Sequence, residues 1–180
     1  MNKKHSTIVL AFLCGALIFG LSHSAHAGFY FGLGQIQMDV EYENAPNLEP
    51  TVGTLRIGHS VVSGFSIEAR YGTGTSTETA TIEGISGDFE VETMAGFYGV
   101  VRGQLTPRLA VYGIAGGTYA RAKATDGTLT ETGDAAGLSY GAGGEIAITP
   151  RIHAFVETMQ HFDDADYSSE GLTLGVVFRL

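Results

Sequence analysis

The sequence predicts an all-β chain: an eight-stranded antiparallel up-and-down transmembrane β-barrel. Three observations carry that prediction. Apolar residues recur at every second position in one segment after another, the period of a strand whose two faces meet unlike surroundings. The connections alternate between short and long, which puts the short turns at the end that also bears both termini. Charged residues stand in mid-strand on the face opposite the apolar one, where a soluble sheet would point its charges at water and hide its apolar side.

The clearest pair of strands is 138–148 and 152–162, joined through Thr149-Pro150-Arg151. Leu138, Tyr140, Ala142, Gly144, Ile146 and Ile148 share one face, and Ser139, Gly141, Gly143, Glu145 and Ala147 share the other. Pro150 cannot donate to a ladder, so it belongs at the reversal. Beyond it Ile152, Ala154, Val156 and Phe162 continue the apolar face, opposite His153, Glu157, Met159 and His161.

Bulk properties narrow the classes. Lys3 and Lys4 precede an uncharged apolar run, and Ala25-His26-Ala27 follows it in the small-x-small pattern of a signal-peptidase site. Residues 1–27 therefore read as a secretory signal peptide cleaved between Ala27 and Gly28, leaving the barrel domain at 28–180. Cys14 lies inside the apolar run without the small residue a lipoprotein signal needs, and 28–180 contains no other cysteine to form a disulfide. That segment holds 10 − 2 = 8 Lys and Arg against 19 Asp and Glu, a net of −11, a balance that excludes nucleic acid as a partner. It has no apolar run near the roughly 20 residues of a membrane helix, and its 26 − 2 = 24 glycines suit a barrel.

In chain order, Phe29, Phe31 and Leu33 share one parity, whereas Ile36, Met38, Val40 and Tyr42 share the other, so the change of phase at Gly34 predicts a bulge. A polar connection with Pro46 and Pro50 leads to a second strand, to about His59, with Leu55 and Ile57 opposite Arg56. After a turn at 61–64, Phe65, Ile67, Ala69 and Tyr71 oppose Ser66, Glu68 and Arg70 in the third. The threonine-rich 73–83 continues that strand beyond the membrane, and the chain turns at 84–87. The fourth strand sets Phe89, Val91, Ala95, Phe97 and Val101 against Glu90, Glu92, Met94, Tyr98 and Arg102. After 103–107, the fifth is expected to carry Tyr112, Ile114 and Thr118 outward and Gly113, Ala115 and Gly117 inward, then Arg121. Asp126-Gly127 is a type I′ hairpin signal. The pair described above supplies strands six and seven, and Leu172, Leu174, Val176, Phe178 and Leu180 alternate with Thr173, Gly175, Val177 and Arg179 in the eighth.

Ala27-Gly28-Phe29-Tyr30-Phe31-Gly32, Tyr140-Gly141-Ala142-Gly143-Gly144-Glu145, Val156-Glu157 leading to His161-Phe162-Asp163, and Leu174-Gly175-Val176-Val177-Phe178 together resemble the OmpA/OmpX-type small outer-membrane barrels, often labelled porin-family proteins. The resemblance spans 28–180 and implies a Gram-negative outer-membrane protein, set among outer-membrane lipid and lipopolysaccharide. It also implies that the assembly machinery reads the last strand, 172–180. That family usually ends on an aromatic residue, and this chain ends on Leu180, two residues after Phe178.

Arg56, Glu68, Arg70, Arg102, Glu145, Glu157 and Arg179 form the predicted inward charge network, with Arg121 near the mouth. A channel would use such charges for selectivity. Eight strands, however, leave an interior that side chains fill, so mutual pairing in a closed lumen is the preferred reading. The expected protein is a monomer, non-catalytic and without cofactor or metal, structural or acting at the surface through extended outer hairpins that could pair with a partner strand. A small-solute pore is the alternative. A lipid A-modifying enzyme is the third, suggested by His161, Ser168, Ser169 and Glu170, although the His-x-Ser motif of the deacylases is missing there and the His59-Ser60 pair lies at the periplasmic end. An exported lipocalin-like ligand binder would reverse the two faces. Asp163, Asp164 and Asp166 lack the spacing and glycine of a calcium loop and read as solvated charge.

Overall fold

The structure, a computed structural model, describes residues 28–42, 48–82, 85–125, 129–163 and 167–180. The proposed signal peptide up to Ala27, and the Asp126-Gly127 hairpin signal, lie outside the described residues. Among those described, nine strand segments follow one another: β1 (Phe29–Tyr42), β2 (Thr51–Val62), β3 (Phe65–Gly74), β4 (Glu78–Ile82), β5 (Ile85–Gln104), β6 (Leu109–Thr125), β7 (Thr130–Ala147), β8 (Ile152–Asp163) and β9 (Tyr167–Arg179). All pairings are antiparallel, β9 returns to β1, and β3 and β4 lie end to end against β5. β3 and β4 thus make one interrupted strand, and the sheet closes as an eight-stranded barrel. Closure pairs backbone groups that lipid could not satisfy, which is why strands cross membranes in barrels.

The outward face carries an apolar band. Phe29, Phe31 and Leu33 on β1, Leu55 and Ile57 on β2, Phe97 on β5, Ile146 on β7, and Leu172 and Leu174 on β9 are all exposed. The three tight reversals, at Ser63 and Gly64, before Leu109, and before Ile152, fall at the end where β1 begins and β9 finishes. Gly64 takes a positive φ of 77° in the first of them, a conformation that favours glycine. At the far end the barrel is uneven: β5, β6 and β7 have 20, 17 and 18 residues, against the roughly 9–11 that one crossing needs.

Several sequence expectations are corrected. β1 contains no bulge at Gly34, since its register with β2 and with β9 runs through that residue unbroken. Ile36, Met38 and Val40 keep the parity of Tyr30 and point into the lumen, where all three are buried. What changes at Gly34 is the surroundings: above the lipid band the outward face shows Gln35, Gln37 and Asp39 to water, while the lumen turns apolar. A real bulge lies between Val91 and Thr93, so Val91 is buried and Phe89 packs against the same inner cluster instead of facing out. Another lies between Gln160 and Phe162 and turns Phe162 in, off the face of Val156.

On β6 the faces are the reverse of those expected. Tyr112, Ile114 and Thr118 are buried inside, and Gly113, Ala115 and Gly117 lie on the outer face. Alternation fixes which residues share a face but not which face is inside. Lipid tails fill the space beside a glycine, whereas a lumen must be filled by the chain's own volume. Boundaries also move. β2 reaches Val62 past a bulge, and the outer hairpin breaks at 75–77 and reverses between Ile82 and Ile85, leaving Gly87 within β5.

Candidate functional site in the barrel lumen

Every described strand of the barrel wall sends side chains inward at alternate positions, and the charged ones gather in two layers. The middle layer holds Arg56 of β2, Glu68 and Arg70 of β3, and Glu157 of β8. Arg70 donates to both carboxylate oxygens of Glu157, Nη1 to Oε1 at 2.5 Å and Nη2 to Oε2 at 2.8 Å. Its Nε donates to Glu68 Oε1 at 2.6 Å, and Arg56 Nη1 stands 3.8 Å from both carboxylates. β3 and β8 are four strands apart whichever way the ring is followed, so the Arg70–Glu157 fork spans the barrel. Fork-to-fork geometry of this kind is the strong form of an ion pair. Tyr30 completes the layer, its hydroxyl donating to Glu68 Oε2 at 2.9 Å.

The lower layer, at the end of the short turns, centres on Glu145 of β7. Arg179 Nη2 approaches its Oε1 at 2.6 Å, His153 Nδ1 stands 2.7 Å from the same oxygen, and Arg102 Nη2 lies 3.2 Å from Oε2. Aromatic rings fill the space between the charges. The Arg56 guanidinium sits 3.5 Å over the Phe155 ring, and Arg70 stands 5.0 Å from Tyr98; a cation over a ring face is attracted by its quadrupole. Arg102 lies between Tyr30 and Tyr112, at 5.7 and 5.6 Å. Within these layers Glu68, Glu145 and Glu157 are nearly inaccessible, and exposure rises only toward the lower mouth, to 27 % for the Arg179 side chain.

Above the charges the lining of the lumen turns apolar. Ile36, Met38 and Val40 of β1, Val52 of β2, and Val91 and Met94 of β5 form one buried apolar cluster, with Leu48, Phe89 and Ala120 against it. The segment before β2 holds the cluster's edge, because Val40 and Leu48 exchange backbone hydrogen bonds and Met38 N donates to Pro50 O.

All seven inward charges named from the sequence therefore lie within this lumen, each in at least one ion pair. Arg121 is elsewhere: it sits on the outer surface, paired with Asp134 at 2.8 Å. The hydrogen bond from Arg121 holds the Asp134 carboxyl below its usual value. His161 and Ser169 are buried in the lumen, whereas Glu170 is exposed on the other face, so Glu170 is not brought together with them. The calcium reading cannot be placed, since Asp164 and Asp166 lie outside the described residues.

Sequence reasoning placed Tyr98 and Met94 on the inward face of their strand beside Arg102, but it missed Tyr30, Tyr112 and Phe155 as lumen fillers and the apolar cluster as a unit. The rings are accommodated by glycine: Cβ atoms added at Gly58, Gly96 and Gly143 would strike the rings of Tyr30, Tyr98 and Tyr112. Only Gly96, two residues before Tyr98, shows this along the chain; Gly58 and Gly143 oppose Tyr30 and Tyr112 across strand pairs and become visible with the register.

This architecture has known counterparts. The attachment invasion locus protein Ail of Yersinia pestis superposes with a TM-score of 0.66 at 16% identity, over 87% of this chain and 100% of that one. Neisserial surface protein A gives 0.69 at 14% identity, over 87% and 100%. The N-terminal β-barrel domain of Pseudomonas aeruginosa OprF gives 0.56 at 13%, over 83% and 97%. These likenesses concern the fold. No curated protein sequence matches the chain. Residues 8–179, by contrast, match the family described as "Outer membrane protein beta-barrel domain". The chain belongs to that outer-membrane β-barrel family.

Proposed function

We propose that this protein is a non-catalytic outer-membrane barrel with a closed lumen, acting at the cell surface through its outer hairpins. The Arg70–Glu157 fork across the barrel, beneath a buried apolar cluster, is the observation that carries the closed-lumen reading. A conducting pore would need that fork broken and that cluster parted. In planar bilayers the wild-type barrel is expected to show no steady single-channel conductance. A reproducible open channel, with Glu145→Ala altering mainly its ion selectivity, would overturn the reading in favour of a porin.

The overhang supports the surface role. β7 pairs with β6 from Thr130 to Leu109's partner Ile146, but its recorded register with β8 starts only at Tyr140. β4 pairs with β5 alone among the described strands. β4, β5, β6 and β7 thus rise as a small sheet whose outer edges can accept an extended strand. Ail of Yersinia pestis has been solved with the heparin analogue sucrose octasulfate. Here the sheet carries Glu78, Asp88, Glu90, Glu92, Glu131 and Asp134, with Arg121 and Lys123 as described cations, so a neutral or basic partner segment suits it better than a sulfated one. Deleting 75–85 is expected to reduce cell adhesion or self-association. Unchanged behaviour would remove the hairpin from the proposal. Export by cleavage after Ala27, assembly through 172–180, contact with lipopolysaccharide and a monomeric state belong to the same reading.

A further inference from the structure

Two of the tight reversals repeat one pentapeptide. Leu105-Thr106-Pro107-Arg108-Leu109 leads into β6, and Ile148-Thr149-Pro150-Arg151-Ile152 leads into β8. Their hydrogen bonds match as well. Leu105 N and Thr106 N donate to Leu109 O at 2.9 and 3.0 Å, and Ile148 N and Thr149 N donate to Ile152 O at 2.9 and 3.0 Å. Thr106 Oγ1 accepts from Arg108 N at 3.3 Å and from Leu109 N at 3.0 Å, just as Thr149 Oγ1 accepts from Arg151 N at 3.3 Å and from Ile152 N at 3.0 Å. Proline fixes φ and the hydroxyl satisfies the amides that follow it, so each turn is a stiff mount for its arginine. The remaining reversal at this end, Val62-Ser63-Gly64-Phe65, carries no charge.

The two mounts are neighbours on the rim. Ala147 N, at the end of β7, donates to Arg108 O at 2.7 Å, and the chain then enters the second turn. Because β6 and β8 flank β7, the two arginine backbones stand two strand spacings apart, about 10 Å. Both arginines are exposed, and neither enters an ion pair among the described residues. No acid stands near enough in sequence to neutralise them. Over 99–111, 144–154 and 175–180, which build this side of the rim, the acidic side chain is Glu145, and it is engaged inside the lumen by Arg102, Arg179 and His153. This arc is therefore electropositive, the opposite of the acidic overhang at the other end.

The apolar neighbours of these arginines indicate what meets them. Leu105 and Ile148 are 57 and 64% exposed. Leu105 continues the outward parity of Phe97 and Val101, and Ile148 that of Ile146. The lipid-contacting face thus runs down to each turn and ends three residues before its arginine. A long cationic side chain at that level reaches the layer where acyl chains give way to phosphates. A soluble acidic partner would have no use for the apolar collar. Guanidinium groups bind phosphate through paired hydrogen bonds, and two of them on adjacent stiff mounts can close on one headgroup. A zwitterionic headgroup brings its own cation to that site, whereas an anionic one does not. We propose that the Arg108–Arg151 arc is a binding site for the headgroup of an anionic phospholipid in the leaflet at the short-turn end. It rests on the membrane reading above but not on a closed lumen, so a conducting barrel would leave it standing.

The test folds the full barrel into nanodiscs holding phosphatidylglycerol and phosphatidylcholine in equal amounts with the same acyl chains. Native mass spectrometry after mild detergent extraction then reads which lipid stays bound. The wild type is expected to retain phosphatidylglycerol over phosphatidylcholine on the order of tenfold, a preference that two arginines at a lipid surface can support. Arg108→Gln with Arg151→Gln is expected to bring the ratio close to one, and each single variant to lose part of the preference. Neither arginine side chain takes part in the hydrogen bonds of the turns, so the double variant should keep the gel shift that folded barrels show before boiling. Arg121→Gln, at the opposite end, is expected to leave the ratio unchanged. Equal retention of the two lipids by the wild type overturns the proposal, as does a preference that the double variant keeps. A wild type without lipid preference that binds soluble polyglutamate through Arg108 and Arg151 also overturns it, and gives the arc to a soluble acidic partner.

Discussion

Removing the Glu157 carboxylate is the sharpest probe of the proposed closed lumen. Its side chain is inaccessible, it receives two hydrogen bonds from Arg70 at 2.5 and 2.8 Å, and it stands 3.8 Å from Arg56. Arg56 and Arg70 are direct cross-strand partners on β2 and β3, so these two guanidinium groups are held side by side. In Glu157→Ala they keep only Glu68, at 3.8 and 2.6 Å. Two cations would then share one carboxylate among side chains that are at most 9% exposed. Breaking one partner of a buried pair costs about 3–5 kcal/mol. At about 1.4 kcal/mol per tenfold, that is a loss of two to three orders of magnitude or more in the folding equilibrium.

Urea unfolding in lipid vesicles would read it, scored by the gel shift that folded barrels show before boiling; the chain has no tryptophan, so tyrosine fluorescence is the optical check. Asp134→Ala serves as the control, because it breaks an ion pair whose side chains are 47 and 51% exposed and is expected to change stability far less. Replacing both partners, Arg70→Met with Glu157→Met, should recover most of the loss, since paired apolar groups of similar volume leave no stranded charge. If Glu157→Ala proves no more costly than Asp134→Ala, water reaches the middle layer and the argument for a dry, closed lumen fails.

Two other predictions follow from the faces of the barrel. Ala142 lies on the outward face of β7 between Gly113 and Thr158, so Ala142→Arg is expected to impair folding into vesicles by about 2–4 kcal/mol if it sits at the midplane; wild-type folding yield and stability would reverse the assignment of that face. On the surface, the hydrogen bond from Arg121 lowers the Asp134 pKa from 3.8. A lowered folded-state value means that this pair's stabilisation is present above the unfolded value and lost as pH falls through the folded one. Arg121→Gln should therefore move the Asp134 titration upward in carboxyl ¹³C NMR, and an unmoved midpoint would show that the pair does not form in solution.

Much of this barrel was decided locally. Period-two alternation, the tight reversals and mid-strand charges at Glu68, Glu145 and Glu157 are properties of short segments, and they sufficed for strand number, topology and the inward set of ionic residues. What the residues could not decide alone was anything that depends on a neighbour. β6 alternates just as well with either face inside, and only the need to fill the lumen turns Tyr112 and Ile114 inward. The bulges after Val91 and Gln160 are visible only as a mismatch with partner strands, and they are what turn Val91, Phe89 and Phe162 inward. The apparent break at Gly34 was a change of surroundings along an unbroken strand: outside, lipid gives way to water, and inside, charge gives way to the apolar cluster. The pairing of Arg70 with Glu157, 87 residues apart, needed the closed ring, because only closure sets β3 opposite β8. A sequence records what each face prefers; the circumference of the closed sheet decides what each face meets.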